Sequence, residues 1–125
     1  MKKYIPTLQN HTKGGVFSLE CIIDRIVMLD IHLIDSFKNK KCISFDSYIS
    51  YRKIDEGDAM MILDEISKTS RIGCSFYIVD NSDYIDWIVN QSYGVRDPAS
   101  MVHYLISTYD DIIEVVTVNP PLISG

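Results

Sequence analysis

Basic residues are scarce in the second part of this 125-residue chain, where only Lys68, Arg71 and Arg96 follow residue 54. Twelve Asp/Glu residues share that part, whereas the first 54 residues hold nine Lys/Arg and five Asp/Glu. The formal charge is therefore +4 before residue 55 and −9 after it. Nucleic-acid-binding domains normally carry net positive charge, so the total of −5 argues against one.

Cysteine is also scarce. Cys21, Cys42 and Cys74 are an odd number in scattered positions without a C-x-x-C pair. This pattern argues against a disulfide framework and favours a reducing compartment. We therefore expect a cytoplasmic protein.

Long apolar runs are missing as well. The most apolar stretch, residues 21–34, contains four polar or charged side chains and cannot span a bilayer, namely Asp24, Arg25, Asp30 and His32. The basic start of the chain is followed by polar residues rather than by the apolar core of a signal peptide. Length and composition, with 46% apolar residues, indicate one globular domain over residues 1–125.

Catalytic and cofactor motifs are absent too. There is no G-x-S-x-G or H-E-x-x-H sequence, and Lys13-Gly14-Gly15 has only part of a phosphate-binding loop. The Asp80-x-x-Asp83-x-x-Asp86 spacing lacks the glycine and glutamate of a calcium loop. We expect no catalytic residue, cofactor or metal. A small enzyme whose site the fold assembles from Cys, His and Asp residues stays an alternative, with His32, His103, Cys42 and Cys74 as candidates.

Helical patterns cover much of the chain. Apolar residues recur at helical spacing from Ser18 to Phe37, and residues 42–53 fit a capped helix slightly better than a strand. Further helices are expected from Asp55 to about Lys68, after Asn81-Ser82, and after Asp97-Pro98.

Two runs rich in β-formers, residues 74–79 and 112–118, predict central strands covered on both faces, and residues 4–8 predict a short one. Because helices and strands are interspersed, we expect an α+β domain, a mixed sheet covered by four to five helices. A three-layer α/β arrangement is the alternative.

Acidic residues stand beside aromatic residues in the second part of the chain. Aromatic anchors ringed by carboxylates are typical of a hot spot for a Lys/Arg-rich partner. The predicted partner-binding residues are Asp80, Asp83, Tyr84, Asp86, Trp87, Tyr109, Asp110, Asp111 and Glu114. Solubility alone is the competing explanation for this acidity.

The whole chain resembles the small cytoplasmic immunity proteins of bacterial polymorphic-toxin and contact-dependent growth inhibition systems. The likeness lies in size, acidity, the lack of catalytic motifs and the mixture of helices and strands. It implies a non-enzymatic antitoxin that binds and blocks a cognate toxin, often a basic nuclease, without binding nucleic acid or membrane itself. The alternatives are the small enzyme and a self-assembling protein whose +4 part meets the −9 part of another copy. We expect a monomer or a weak homodimer.

Overall fold

The computed structural model describes residues 2–8, 16–69 and 75–125, which are mostly β-strand. The strands are β1 Lys3–Pro6, β2 Ser18–Asp24, β3 Met28–Ile34, β4 Lys40–Asp46, β5 Tyr48–Asp55, β6 Phe76–Asp80, β7 Val102–Ser107, β8 Asp111–Thr117 and β9 Leu122–Ser124. The helices are α1 Met60–Thr69 and α2 Asp83–Gln91, with single 3₁₀ turns at Glu56–Asp58 and Pro98–Ser100.

The strands form two antiparallel sheets. One has five strands in the order β1-β6-β7-β8-β5, and the other has four in the order β2-β3-β4-β9. Every strand pairing in the described residues is antiparallel. The predicted mixed sheet with four to five helices is therefore wrong, and so is the α/β alternative.

The main core lies between the two sheets. Alternate residues of β3 and β4 point inward from the four-stranded sheet and meet side chains of β6, β7 and β8. The buried residues of this layer are Phe17, Leu29, Ile31, Leu33, Ile43, Phe45, Phe76, Tyr104, Ile106, Ile113 and Val115. Burying these side chains supplies much of the driving force for folding.

The two helices cover the opposite face of the five-stranded sheet. Ile66 of α1 packs with Tyr77, Leu105 and Ile112, and Ile88 of α2 packs with Met101 and Val116. The layers are thus helices, five-stranded sheet and four-stranded sheet. Residues 112–117 are buried throughout, as predicted for a strand covered on both faces.

The helix expected from Ser18 to Phe37 is a β-hairpin, β2 and β3. Leu29, Ile31 and Leu33 alternate into the core, and this period of two decides the structure over the helical spacing. The helix favoured for residues 42–53 is also wrong, since this segment contributes to β4 and β5. Only Ser47, with φ of 55°, separates these two strands.

The helix expected after Asp97-Pro98 is limited to one 3₁₀ turn. The Asp97 carboxylate accepts a hydrogen bond from the Ala99 backbone N–H as predicted for a cap, but β7 begins at Val102. Apolar side chains that suit both faces of a sheet continue from there, so extended structure prevails.

Other predicted elements are confirmed with shifted ends. The strands predicted at 4–8, 74–79 and 112–118 correspond to β1, β6 and β8, and the helices after Asp55 and Ser82 correspond to α1 and α2. Cys74 and Lys13-Gly14-Gly15 lie outside the described residues. In the described segments, no helix has the length and apolar character needed to cross a membrane.

The turn between β2 and β3 holds a strained residue. Ile26 has a φ of 73°, which is costly for a β-branched side chain, and it is 86% exposed, so packing does not offset the cost. We expect Ile26→Asn to raise the free energy of unfolding by about 1 kcal/mol, because Asn tolerates this conformation. Urea denaturation measures the change. Val27→Asn, at an exposed neighbour without positive φ, is the control, and an equal gain there would contradict the strain.

Candidate binding site

A chain of buried hydrogen bonds crosses the helix-covered face of the five-stranded sheet. The Ser82 Oγ lies 2.6 Å from His103 Nδ1, and His103 Nε2 lies 2.9 Å from Glu114 Oε1. The other carboxylate oxygen of Glu114 accepts a hydrogen bond of 2.6 Å from Arg52 Nε. The chain therefore runs from the start of α2 across β7 and β8 to the edge strand β5.

Glu114 is ionised within this series of hydrogen bonds. Burial alone would raise its pKa, but the hydrogen bonds and charges of His103 and Arg52 outweigh burial and lower the pKa to about 2. A carboxylate only accepts hydrogen bonds, so His103 carries a proton on Nε2.

The order serine–histidine–glutamate resembles a nucleophile with its base, but the surroundings favour a structural role. Ser82 is the N-cap of α2, since its Oγ accepts the Ile85 N–H at 3.0 Å. Ser82 is only 6% exposed and His103 only 1%. We interpret this series of hydrogen bonds as a structural feature that fixes α2 on the sheet and holds Arg52 in position.

Arg52 is held from two sides. Its Nε is bonded to Glu114, and its guanidinium lies 4.0 Å from the centroid of the Tyr84 ring. Tyr84 is buried and is anchored in turn by Ser50, whose Oγ lies 2.6 Å from the Tyr84 hydroxyl. The Arg52 side chain nevertheless remains 49% exposed, so a fixed guanidinium faces solvent.

A groove of about 450 Å³ opens over this guanidinium. We call it the α2 groove, and its lining residues are Lys2, Ser50, Tyr51, Arg52, Asp83, Tyr84 and Trp87. Lys2 connects the two helices along it, with Nζ 3.7 Å from Glu65 of α1 and 3.3 Å from Asp83 of α2. Trp87 lines the groove and is 54% exposed.

A smaller groove of about 330 Å³ lies at the Ser82 end of this series of hydrogen bonds. Ser82 and His103 contribute to its wall, together with the exposed carboxylates of Asp80 and Asp86. The start of α2 therefore separates two concave surfaces, both bordered by acidic side chains.

The predicted partner-binding residues do not form one surface. Asp80, Asp83, Asp86 and Trp87 lie together at α2 and are exposed, and we call these four residues the α2 face. The other exposed members, Tyr109 and Asp110, belong to the turn between β7 and β8, at the opposite end of these strands. Tyr84 and Glu114 are buried and support Arg52, so their role as direct contact residues stays a prediction.

Part of the negative charge is neutralised by the first 54 residues. Asp83 pairs with Lys2, Glu114 with Arg52, and Asp111 with Lys53 at 3.1 Å. In the described segments, Asp80, Asp86 and Asp110 have no such pair within 4.0 Å. The acidic potential is therefore weaker than the sequence suggests. These ion pairs form within one molecule. They therefore occupy charges that the self-assembly alternative would need for a contact between two copies.

Of the candidate Cys and His residues that the structure describes, His103 lines the smaller groove, whereas His32 and Cys42 lie elsewhere. His32 and Cys42 are neighbours across β3 and β4, with Cys42 Sγ 3.9 Å from His32 Nε2, but they line neither groove. Among the residues that the structure describes, the hydrogen-bond partners of the His103 side chain are Ser82 and Glu114. Within the described ranges, no three His, Cys, Asp or Glu side chains are placed to hold a metal ion.

Comparison with known proteins gives no evidence about the function. No family model matches the sequence, and no curated protein matches it. An uncharacterized protein from Neisseria gonorrhoeae, known from a crystal structure, is similar over 100% of this chain and 98% of its own length. The sequence identity is 14% and the TM-score 0.45, so this similarity carries no functional argument.

Proposed function

We propose that this chain is a cytoplasmic, non-enzymatic antitoxin of the immunity-protein type, which binds a cognate toxin through the α2 face and the α2 groove. The observation that carries the proposal is Trp87, a large aromatic side chain half exposed beside a concave surface. Tryptophan and arginine are enriched in binding hot spots, and here Arg52 already lies fixed in the same groove. A preorganised surface of this kind loses little entropy on binding.

The charge at α2 favours a basic toxin. Asp80 and Asp86 are exposed and have no ion pair in the described residues. Asp83 pairs with Lys2, which also pairs with Glu65. Exposed carboxylates around an aromatic anchor speed the approach of a cationic partner, and this effect declines as salt screens it. Masking the basic surface of a nuclease would block its access to nucleic acid.

Co-expression tests the proposal. The product of the reading frame directly upstream should stop bacterial growth when expressed alone, and this chain should restore growth. In binding measurements, Trp87→Ala should weaken the complex by about 30-fold or more, the effect of losing a hot-spot side chain.

Tyr109→Ala is the matched control, because Tyr109 is another exposed aromatic beside a carboxylate, at the far end of β7 and β8. We expect it to leave affinity within about threefold, as typical of residues outside a hot spot. An upstream product that is not toxic, or a toxic one that this chain neither binds nor neutralises, would overturn the function. Equal losses for the two variants would overturn the assignment of the surface.

A further inference from the structure

The α2 groove contains hydrogen-bond donors in a fixed geometry. Arginine has five N–H donors, and only the Nε–H of Arg52 is used on Glu114. The guanidinium carbon also lies over the Tyr84 ring, so two contacts restrain the Arg52 side chain, which remains half exposed. A planar, immobilised fork of this kind suits an oxyanion that accepts two parallel hydrogen bonds.

Buried side chains support this fork from within the sheet. Glu114 is buried and ionised, and it is bonded to His103, which is fully buried and contacts Ser82. A buried ionic chain of this kind is often no more stable than well-packed apolar residues would be. Its clearest effect here is to give Arg52 one orientation.

We propose that the α2 groove binds a carboxylate, supplied by an Asp or Glu side chain of the partner protein, whose apolar neighbour packs on Trp87. The source of the carboxylate rests on the proposed function, whereas the preference of the groove for a carboxylate does not. The surface recognised on the toxin would then be one acidic side chain surrounded by basic ones, which match Asp80, Asp83 and Asp86. Such a pattern would let the chain reject other basic proteins that lack the central acid.

The charges around the groove favour a carboxylate over a phosphate group. Arg52 and Lys2 are the cations that line it, and Asp83, Glu65 and Glu114 are the carboxylates that face them from α2, α1 and β8. These two cations and three carboxylates sum to −1, so the site tolerates one added negative charge better than two. Asp83 repels any anion in the groove, but a dianionic phosphate meets about twice the repulsion of a singly charged carboxylate, which can still use the Arg52 fork.

The fluorescence of Trp87 offers a direct test, because it is the sole tryptophan of the chain and lines the groove. The probes are two blocked tripeptides, acetyl-Leu-Glu-Leu-amide and its glutamine counterpart, titrated into the full chain at neutral pH. We expect the glutamate peptide to bind at least tenfold more tightly than the glutamine peptide. Equal binding, or binding of neither peptide, would overturn the proposal.

Two variants locate the effect. Arg52→Lys keeps the positive charge but loses the fork, so it should abolish the preference for glutamate, while Arg96→Lys on the loop after α2 should keep it. A preference retained in folded Arg52→Lys would contradict the assignment, and circular dichroism checks the fold. If that variant does not fold, competition on the unmodified chain decides: acetate should displace the glutamate peptide better than inorganic phosphate at equal concentration, and the reverse would overturn the proposal.

The two proposals can fail separately. A clear preference for the glutamate peptide without protection against the upstream product would support the groove and overturn the antitoxin function. Protection that is unchanged in Arg52→Lys, with no peptide preference, would support the antitoxin and overturn the groove.

Discussion

Replacing Glu114 with alanine is expected to lower the free energy of unfolding by about 3–5 kcal/mol, the cost of removing one partner from a buried ionic network. The loss leaves His103 without its acceptor and Arg52 without its ion pair, and it opens a space in a fully buried part of β8. Urea denaturation followed by circular dichroism measures the change.

Asp110→Ala is the matched control, because Asp110 is an exposed carboxylate in the turn before β8 and has no ion pair in the described residues. A change within about 0.5 kcal/mol is expected there. Glu114→Gln keeps the shape but not the charge, so it should fall between the two. If Glu114→Ala lowers the free energy of unfolding no more than Asp110→Ala does, the buried series of hydrogen bonds does not stabilise the fold.

Acidification is expected to cost about 3 kcal/mol of stability through Glu114 alone. The pKa of Glu114 in the folded chain is about 2, below the usual value of 4.5 that applies in the unfolded chain. The unfolded state therefore takes up the proton first, so the contribution is complete above pH 4.5 and disappears as pH falls to about 2. Urea unfolding at a series of pH values over this window measures the loss.

Glu114→Gln isolates this effect, because glutamine does not titrate. Stability should fall less steeply below pH 4.5 in the variant than in the unmodified chain. Asp24 and Asp35, whose pKa values are also lowered, titrate in both proteins and cancel in the comparison. Parallel pH profiles for the two proteins would contradict the low pKa.

The elements predicted correctly are those with unambiguous local signals. Residues 76–80 and 111–117 are short apolar runs bounded by polar residues, and Ser82 caps a helix whose apolar positions follow a helical period. Asp97 was identified as a cap, but a cap does not determine how long the following helix is. Tertiary burial on both faces of β7 decided that segment.

The hairpins are hard to recognise in the sequence because the positive-φ positions of their turns hold neither glycine nor asparagine. Ile26, Lys38 and Ser47 adopt positive φ where glycine or asparagine would normally mark a turn. Without such a mark, the strands β2 to β5 read as continuous segments whose apolar residues also match a helical period. Within residues 18–37, the alternation of Leu29, Ile31 and Leu33 in β3 was the one signal of extended structure.

The candidate site was predicted only in part. Trp87 and the acids of α2 are predicted as contact residues because aromatic and acidic residues are adjacent in the sequence. Arg52 was not found, because its partner Glu114 is 62 residues away and only the sheet brings them together. One signal did exist: Glu114 interrupts an otherwise apolar strand, and a buried charge of this kind requires a partner elsewhere in the chain.

The position of Lys2 has a practical consequence for handling this protein. Its ammonium group bridges Glu65 and Asp83 beside the α2 groove, whereas Gly125 lies against Lys40 on the four-stranded sheet. A fluorophore or surface linker coupled to the Lys2 ammonium group would therefore enter next to Trp87 and compete with a bound molecule. Coupling through Lys40, whose side chain is 73% exposed, keeps the groove open for immobilised assays.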